Sequence, residues 1–170
     1  HGYGVLDVVV SHDNESFVSA GHDKTAFLWD VTSAQVVRRL WGHQHRINAL
    51  ALNAESTVLA TASYDQNVHL WDLRSKNKVP LQSLTDCKDS ATSVCILEHY
   101  IVVGSVDGVL RTYDLRKGLL HEDDFRRPIV SLQLDKKGSS ALTLCLGTSK
   151  KTGSLCKSQL DAPRLQQEWH

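Results

Sequence analysis

The sequence has no surplus of either charge. Its 19 Lys and Arg balance its 19 Asp and Glu, so the formal net charge is zero. Without a global basic field, direct binding to nucleic acid is not expected. No apolar run is long enough to span a bilayer, and the first residues show no secretory signal. We therefore expect neither nucleic acid nor a membrane among the partners.

Cysteine is also sparse, and its spacing excludes the common metal motifs. None of the four cysteines forms a Cys-x-x-Cys pair or has zinc-ligand spacing with a neighbouring histidine. The pattern favours small buried thiols in a reducing compartment, and we expect no metal and no cofactor. The chain begins with His1 rather than Met, so we expect a piece of a longer protein.

One stretch occurs three times, at residues 23–30, 65–72 and 107–114. Each copy begins with Asp and ends with an aromatic residue followed by Asp, and the copies are 42 residues apart. Small residues precede each copy. A period of this length, with Gly-His and Trp-Asp marks, is typical of propeller blades.

Short apolar runs cut by turn-forming residues surround each copy and predict an all-β fold. Several runs are apolar on both faces, as expected of sheets covered on both sides. A fourth unit begins near residue 129, but its pattern stops after Gly147. The predicted strands are 5–10, 17–20, 25–29, 35–40, 47–52, 58–63, 68–71, 79–84, 91–97, 100–104, 109–113, 129–134 and 141–146.

The marks Trp29-Asp30, Trp71-Asp72 and Trp41-Gly42-His43 resemble those of the WD40-repeat family of β-propellers. The resemblance covers residues 1–147 and implies three complete blades and part of a fourth. It leaves residues 148–170 as a divergent tail, which we expect to be disordered.

The resemblance also implies a buried hydrogen-bond network in each blade, built from His, Ser or Thr, Asp and Trp. The third blade has Cys87, Val103 and Tyr113 at three of these positions, so we expect no complete network there and a softer blade. The network residues implied for the first two blades are His1, Ser19, Asp23 and Trp29, then His43, Thr61, Asp65 and Trp71.

In this family, partners bind the loops around the central channel. The resemblance places on this rim the residue before each marked Asp and the approach to each first strand. The third blade offers only Val106 there. The residues predicted to bind partners are Tyr3, His22, Arg46, Asn48 and Tyr64.

Segments 2–7, 30–38 and 104–116 resemble WD-repeat scaffolds associated with MAP kinase cascades and the spliceosome. This implies a noncatalytic scaffold that binds proteins and no small-molecule substrate, in the cytoplasm and nucleus. The repeat explains the spacing of the His–Asp pairs, so we expect no enzyme. An alternative is a substrate receptor of a cullin–RING ubiquitin ligase, because Arg74 and Arg116 end two Trp-Asp-x-Arg-like segments.

Overall fold

The computed structural model describes residues 1–134, 140–145 and 154–159, and it describes side chains for 1–117 and 121–133. Every regular element in these ranges is a β-strand, and the strands form four antiparallel sheets in chain order. The first sheet contains β1 (Val5–Val10), β2 (Ser16–Gly21), β3 (Thr25–Asp30) and β4 (Gln35–Trp41). The second contains β5 (Ile47–Leu52), β6 (Val58–Ser63), β7 (Val68–Asp72) and β8 (Gln82–Leu84). The third contains β9 (Ala91–Leu97), β10 (Tyr100–Ser105), β11 (Val109–Asp114) and β12 (Gly118–Asp124), and the fourth β13 (Ile129–Leu134), β14 (Ser140–Cys145) and β15 (Ser154–Gln159).

The turn after each marked Asp has the same geometry in the first three sheets. The residue that follows the Asp has positive φ in each case: 63° at Lys24, 71° at Gln66 and 84° at Gly108. In two of these turns the Asp carboxylate accepts the amide two residues on, at 3.0 Å from Asn67 and 2.9 Å from Val109. The repeated Asp is therefore a turn-forming residue as well as a network member.

Successive sheets pack face to face through apolar side chains. Trp71 and Leu59 of the second sheet are buried against Val18 and Leu40 of the first. The second sheet's other face packs on the third, and the third packs on the fourth. Because the inner sheets are covered on both sides, their strands do not alternate apolar and polar residues.

Most predicted strand boundaries lie within one residue of the structure, and three strands differ more. Strand β8 begins at Gln82 rather than at residue 79, because Pro80 has no amide to donate to a ladder. Strand β12 was not predicted, since its run of His, Glu and Asp carries no apolar pattern. Strand β15 lies within the range assigned to a tail and pairs with β14. Residues 148–153 and 160–170 of that range lie outside the described residues, and the predicted disorder stays untested.

From sequence alone, the two consecutive arginines of the predicted strand 35–40, Arg38 and Arg39, indicate an exposed edge, and the structure corrects this for Arg38. Its guanidinium reaches the loop of the second sheet, donating to the carbonyl oxygens of Asp72 at 3.0 Å and Ser75 at 2.5 Å. A further bond reaches the carbonyl of Asn77. Arg39 is exposed, as predicted. Arg38 thus ties the first sheet to the second, because adjacent residues of a strand face opposite ways.

The first sheet has one covered face and one free face. Val8 and Val10 are 51% and 54% exposed on the free face, whereas Leu50 of the second sheet is 7% exposed against the first sheet. Trp29 is half-buried, while Trp71, 42 residues later, is 1% exposed. The free face of the first sheet is therefore apolar, like the faces that are buried between sheets.

We expect the isolated 170-residue chain to self-associate through this face, because large contiguous apolar surfaces promote association. Size-exclusion chromatography with light scattering would detect the larger species. Replacing Val8 and Val10 by Thr keeps β-branching but adds polarity, and should shift the chain toward monomer. A compact wild-type monomer with a sharp cooperative melt would contradict this expectation.

Candidate functional site

A chain of hydrogen bonds runs through the second sheet and joins the four residues predicted there. The indole Nε1 of Trp71 donates to Thr61 Oγ1 at 3.0 Å, and Thr61 Oγ1 lies 2.7 Å from His43 Nε2. His43 Nδ1 lies 2.9 Å from Asp65 Oδ2. Indole can only donate, so Thr61 Oγ1 accepts from Trp71, and the imidazole donates from Nδ1 to the carboxylate. The Thr61 hydroxyl donates to the carbonyl oxygen of His69 at 3.3 Å, and its second lone pair can accept from His43 Nε2.

The first sheet contains the equivalent chain. Trp29 Nε1 donates to Ser19 Oγ at 2.8 Å, and Ser19 Oγ lies 2.6 Å from His1 Nε2. His1 Nδ1 bonds Asp23 Oδ2. The structure thus brings together all eight predicted network residues in two groups of four.

Asp65 joins the network to the loops at the end of the sheet. Its Oδ2 also accepts the backbone amide of Gln44 at 2.7 Å, and its Oδ1 accepts that of Asn67. Burial disfavours the charged carboxylate, but its hydrogen bond to His43, the nearby imidazole charge and the two amides together lower the pKa of Asp65 well below its usual value. The carboxylate therefore holds two loops at once.

The third sheet holds its marked Asp by different chemistry. Asp107 Oδ2 accepts the amide of Lys88 at 3.0 Å, as Asp65 accepts that of Gln44. Cys87 cannot act as the imidazole does, and Arg111 donates instead, with Nη2 2.8 Å from Asp107 Oδ2 and Nε 2.9 Å from Glu122. As predicted, no His–hydroxyl–Trp chain forms there, but the sequence analysis missed this ion pair. Its signal is Arg at the position that Phe27 and His69 occupy in the other copies.

Tyr113 and Cys87 stand in the third sheet at the positions of Trp and His in the other two, and both are buried. The Tyr113 hydroxyl is buried and makes no hydrogen bond of normal geometry among the described residues, and burial, together with the nearby Asp86 carboxylate, raises its pKa. Burial also raises the pKa of the Cys87 thiol to about 11. Cys87 is therefore a protonated, buried thiol at neutral pH rather than a nucleophile.

The predicted rim residues all lie at one end of the sheets. A backbone hydrogen bond of 3.0 Å closes this end in three copies: His22 N to Gly4 O, Tyr64 N to Arg46 O, and Val106 N to Ser90 O. In each copy this hydrogen bond connects the residue before the marked Asp to the segment that leads into the first strand. The structure brings Arg46, Asn48 and Tyr64 together, whereas Tyr3 and His22 lie on the first sheet, outside this group.

These three side chains form one wall of a cleft between the second and third sheets, with a volume of about 430 Å³. The Arg46 guanidinium carbon lies 4.6 Å from the centre of the Tyr64 ring, and Arg46 Nε donates to Asn48 Oδ1 at 3.3 Å. Asn48 Nδ2 donates across to Ser90 Oγ at 3.0 Å and Ala91 O at 2.7 Å. The cleft is lined by Arg46, Asn48, Tyr64, Asp89, Ser90, Thr92, Val106 and Val130.

Sequence reasoning missed Asp89, Ser90, Thr92 and Val130 as lining residues. A signal was present for one pair: Asp89 and Ser90 immediately precede β9, just as Arg46 immediately precedes β5. Applying to the third copy the same rule that placed Arg46 on the rim, the approach to the first strand, would have included Asp89 and Ser90.

The family model for the WD domain, G-beta repeat, matches residues 1–30 and 34–72. Residues 1–30 and 34–72 are therefore WD40 repeats. The prediction of an all-β, partial WD40 propeller is confirmed by the four sheets, three of them four-stranded, and each sheet is one blade.

Known relatives and structures agree with this assignment. A WD repeat domain-containing protein 83 homolog of Dictyostelium discoideum is 35% identical over 168 residues, which cover 81% of this chain and 51% of that protein. An uncharacterized WD repeat-containing protein of Schizosaccharomyces pombe is 43% identical over 190 residues, covering 84% of this chain and 64% of that protein. The structure of U3-55K matches with a TM-score of 0.78 at 17% identity, over 85% of this chain and 46% of that chain, and shows the fold alone. The chain thus spans only part of the length of its relatives.

The opposite end of the propeller carries the two arginines of the Trp-Asp-x-Arg-like segments. The Arg74 side chain is 72% exposed and lies 3.4 Å from Glu55, and Arg116 is exposed beside His99 at 3.1 Å. Their backbone amides donate to Asp72 and Asp114, at 2.8 and 2.7 Å. The two backbones shape the turns, while the side chains are available to solvent.

The described residues contain no group of three His, Cys, Asp or Glu side chains placed to hold a metal ion. They also contain no helix with the length and hydrophobicity needed to cross a membrane.

Trp71→Phe should destabilise the protein by about 1–3 kcal/mol, because it removes a buried donor and leaves Thr61 without it. Tyr113→Phe should change stability by less than about 0.5 kcal/mol or increase it, because the lost hydroxyl has no partner. Urea unfolding midpoints of both variants measure this difference. Equal losses would show that Tyr113 takes part in a network of its own.

His69 makes the second blade sensitive to acid. It stacks on His43 with ring centres 4.1 Å apart, and burial, followed by the charge on His43, lowers its pKa to about 4. In the unfolded chain the pKa of His69 is about 6.5, so between pH 6.5 and pH 4 the unfolded chain binds a proton at His69 that the folded protein does not. Protons therefore favour unfolding in this pH range. Stability should therefore fall as the pH drops from about 6.5 to 4, by as much as about 3 kcal/mol.

The matched control is His69→Phe, because Phe27 stacks on His1 in the same way in the first blade, at 4.2 Å. This variant should lose less stability than the wild type when the urea midpoint is compared at pH 7 and pH 5. Parallel losses in the two proteins would exclude His69 as the titrating group.

Proposed function

We propose that this protein is a noncatalytic scaffold that assembles components of a MAP kinase cascade or of a spliceosomal complex, acting in the cytoplasm and nucleus. The WD40 repeats of residues 1–30 and 34–72 support a protein-interaction role. The finer assignment rests on segments 2–7, 30–38 and 104–116, which resemble the mitogen-activated protein kinase organizer. The cluster of Arg46, Asn48 and Tyr64 is the observation that supports this cleft as the place where partners bind.

Arg46 and Tyr64 have the properties of residues that dominate binding energy. Tyr and Arg are enriched among interface hot spots, because each combines a large contact area with a polar tip. Tyr64 is 49% exposed, and its ring is contacted by Arg46 on one side and by the His45 ring at 5.7 Å. These contacts restrict both side chains before a partner arrives, which lowers the ordering cost of binding.

The loops that carry them are also held firmly. Tyr64 directly precedes Asp65, whose carboxylate is fixed by His43 and two backbone amides. Arg46 directly precedes the buried strand β5, and its carbonyl accepts the amide of Tyr64. The buried network therefore supports the exposed pair.

A substrate receptor of a cullin–RING ubiquitin ligase is the second candidate. It is favoured by the exposed Arg74 and Arg116 side chains, which lie at the end of the propeller opposite the cleft. The two functions thus use different residues and can be separated by mutation.

The combined change Arg46→Ala and Tyr64→Ala should weaken binding of kinase-cascade or spliceosomal partners by about tenfold or more, since two hot spots are lost. The melting temperature should hardly change, because both side chains are exposed. Pull-down of the tagged protein from cells, followed by mass spectrometry, measures this. Arg39→Ala is the control, since Arg39 is an exposed arginine of β4 that is not among the predicted rim residues.

Arg74→Ala with Arg116→Ala should leave these partners bound. If every partner instead survives loss of Arg46 and Tyr64, while the Arg74 and Arg116 changes remove ubiquitin-ligase subunits, the receptor function replaces the scaffold.

A further inference from the structure

We propose that the cleft binds an extended segment of a partner protein that carries an acidic and a basic side chain on either side of an apolar one. Arg46 receives the acidic side chain, Asp89 the basic one, and Val106 and Val130 contact the apolar one. This inference rests on the proposed function, because it names the chemistry of the partner that docks at the same cleft.

Arg46 is oriented as a carboxylate receptor. Its Nε is engaged by Asn48 and its plane is held near the Tyr64 ring, while its guanidinium forms no ion pair with an acidic side chain among the described residues. Its terminal amino groups are therefore available, and a guanidinium binds a carboxylate with two parallel hydrogen bonds.

Asn48 positions Arg46 relative to the third blade. Its amide nitrogen donates both protons across the blade boundary, to Ser90 Oγ and Ala91 O, while its oxygen accepts from Arg46. All the hydrogen-bonding groups of this amide except one lone pair of the oxygen are used. The distance between the two walls of the cleft is thus set before binding.

The opposite wall carries the complementary charge. Asp89 is exposed, and its Oδ1 accepts the amide of Ser90 at 2.6 Å, which fixes the direction of the carboxylate. Val130 is 41% exposed, and Val106, which also lines the cleft, is partly buried. A cleft with one cation, one anion and two valines matches a segment of mixed charge with an apolar side chain.

The charges also decide against other classes of ligand. A nucleic-acid backbone or a phosphate group would bring negative charge toward Asp89, and the whole chain has no net positive charge to offset this. A peptide with both signs satisfies both walls and leaves no charge unpaired.

The test uses a phage library of random octapeptides as the probe, selected against the wild-type chain. Peptides that bind the wild type should contain Asp or Glu, with Lys or Arg two or three residues away. Arg46→Gln should weaken their binding about tenfold, since it removes a charged bidentate contact. Arg46→Lys should restore only part of the affinity, because Lys lacks the planar fork.

Asp89→Asn keeps an acceptor for the Ser90 amide and should weaken only peptides that contain the basic residue. Arg74→Gln, at the other end of the propeller, is the control and should change nothing. A charge swap completes the test: Arg46→Glu should bind a selected peptide whose acidic residue has been changed to Lys. Unchanged thermal melts would show that the variants fold.

Selected peptides without acidic residues, or peptides that bind Arg46→Gln as well as the wild type, would overturn the inference, as would a library that yields no peptide dependent on Arg46. The proposed function fails differently, through partners that survive loss of Arg46 and Tyr64 in cells. Loss of those partners together with nonacidic peptides would keep the scaffold and reject only the charge pattern.

Discussion

Each blade of this protein is stabilised by the blades that cover its faces. Trp71 and Leu59 are buried against the first blade, and Ala60 and Leu70 on the other side of the same sheet pack toward the third. A sheet covered on both sides must be apolar on both sides, and any polar group between blades needs a partner there. The buried hydrogen-bond networks satisfy this second requirement for the turn Asp and the residues linked to it, although the Tyr113 hydroxyl makes no hydrogen bond of normal geometry.

The blades satisfy it in two ways. His43 and Thr61 link Trp71 to Asp65 in the second blade, whereas Arg111 alone reaches Asp107 in the third. Asp65 and Asp107 occupy equivalent turn positions, and each accepts two equivalent backbone amides. A guanidinium stays charged at any pH at which the protein folds, so the contact that holds Asp107 does not depend on the protonation state of an imidazole.

The cleft depends on these buried groups although none of them lines it. Tyr64 is presented by the turn that Asp65 closes, and Val106 by the turn that Asp107 closes. Asn48 then joins the two blades across the cleft. Packing between blades, polar satisfaction and the shape of the candidate binding surface are therefore parts of one arrangement, and a change in the network can reach the surface through the turns.

The sequence by itself determined the repeat and the strand-forming runs, because turn chemistry and residue spacing act within one blade. The two His–hydroxyl–Trp networks and the approximate rim were implied by the resemblance to the WD40-repeat family. It missed β12, whose polar residues pair with β11 only because the backbone of that strand is already in place. Only the tertiary structure decided which residues of different blades meet: Arg38 at the carbonyls of the second blade, and Asp89 and Val130 in the cleft with Arg46. Such contacts join residues 34 or more positions apart, and no local pattern determines how one sheet is placed against the next.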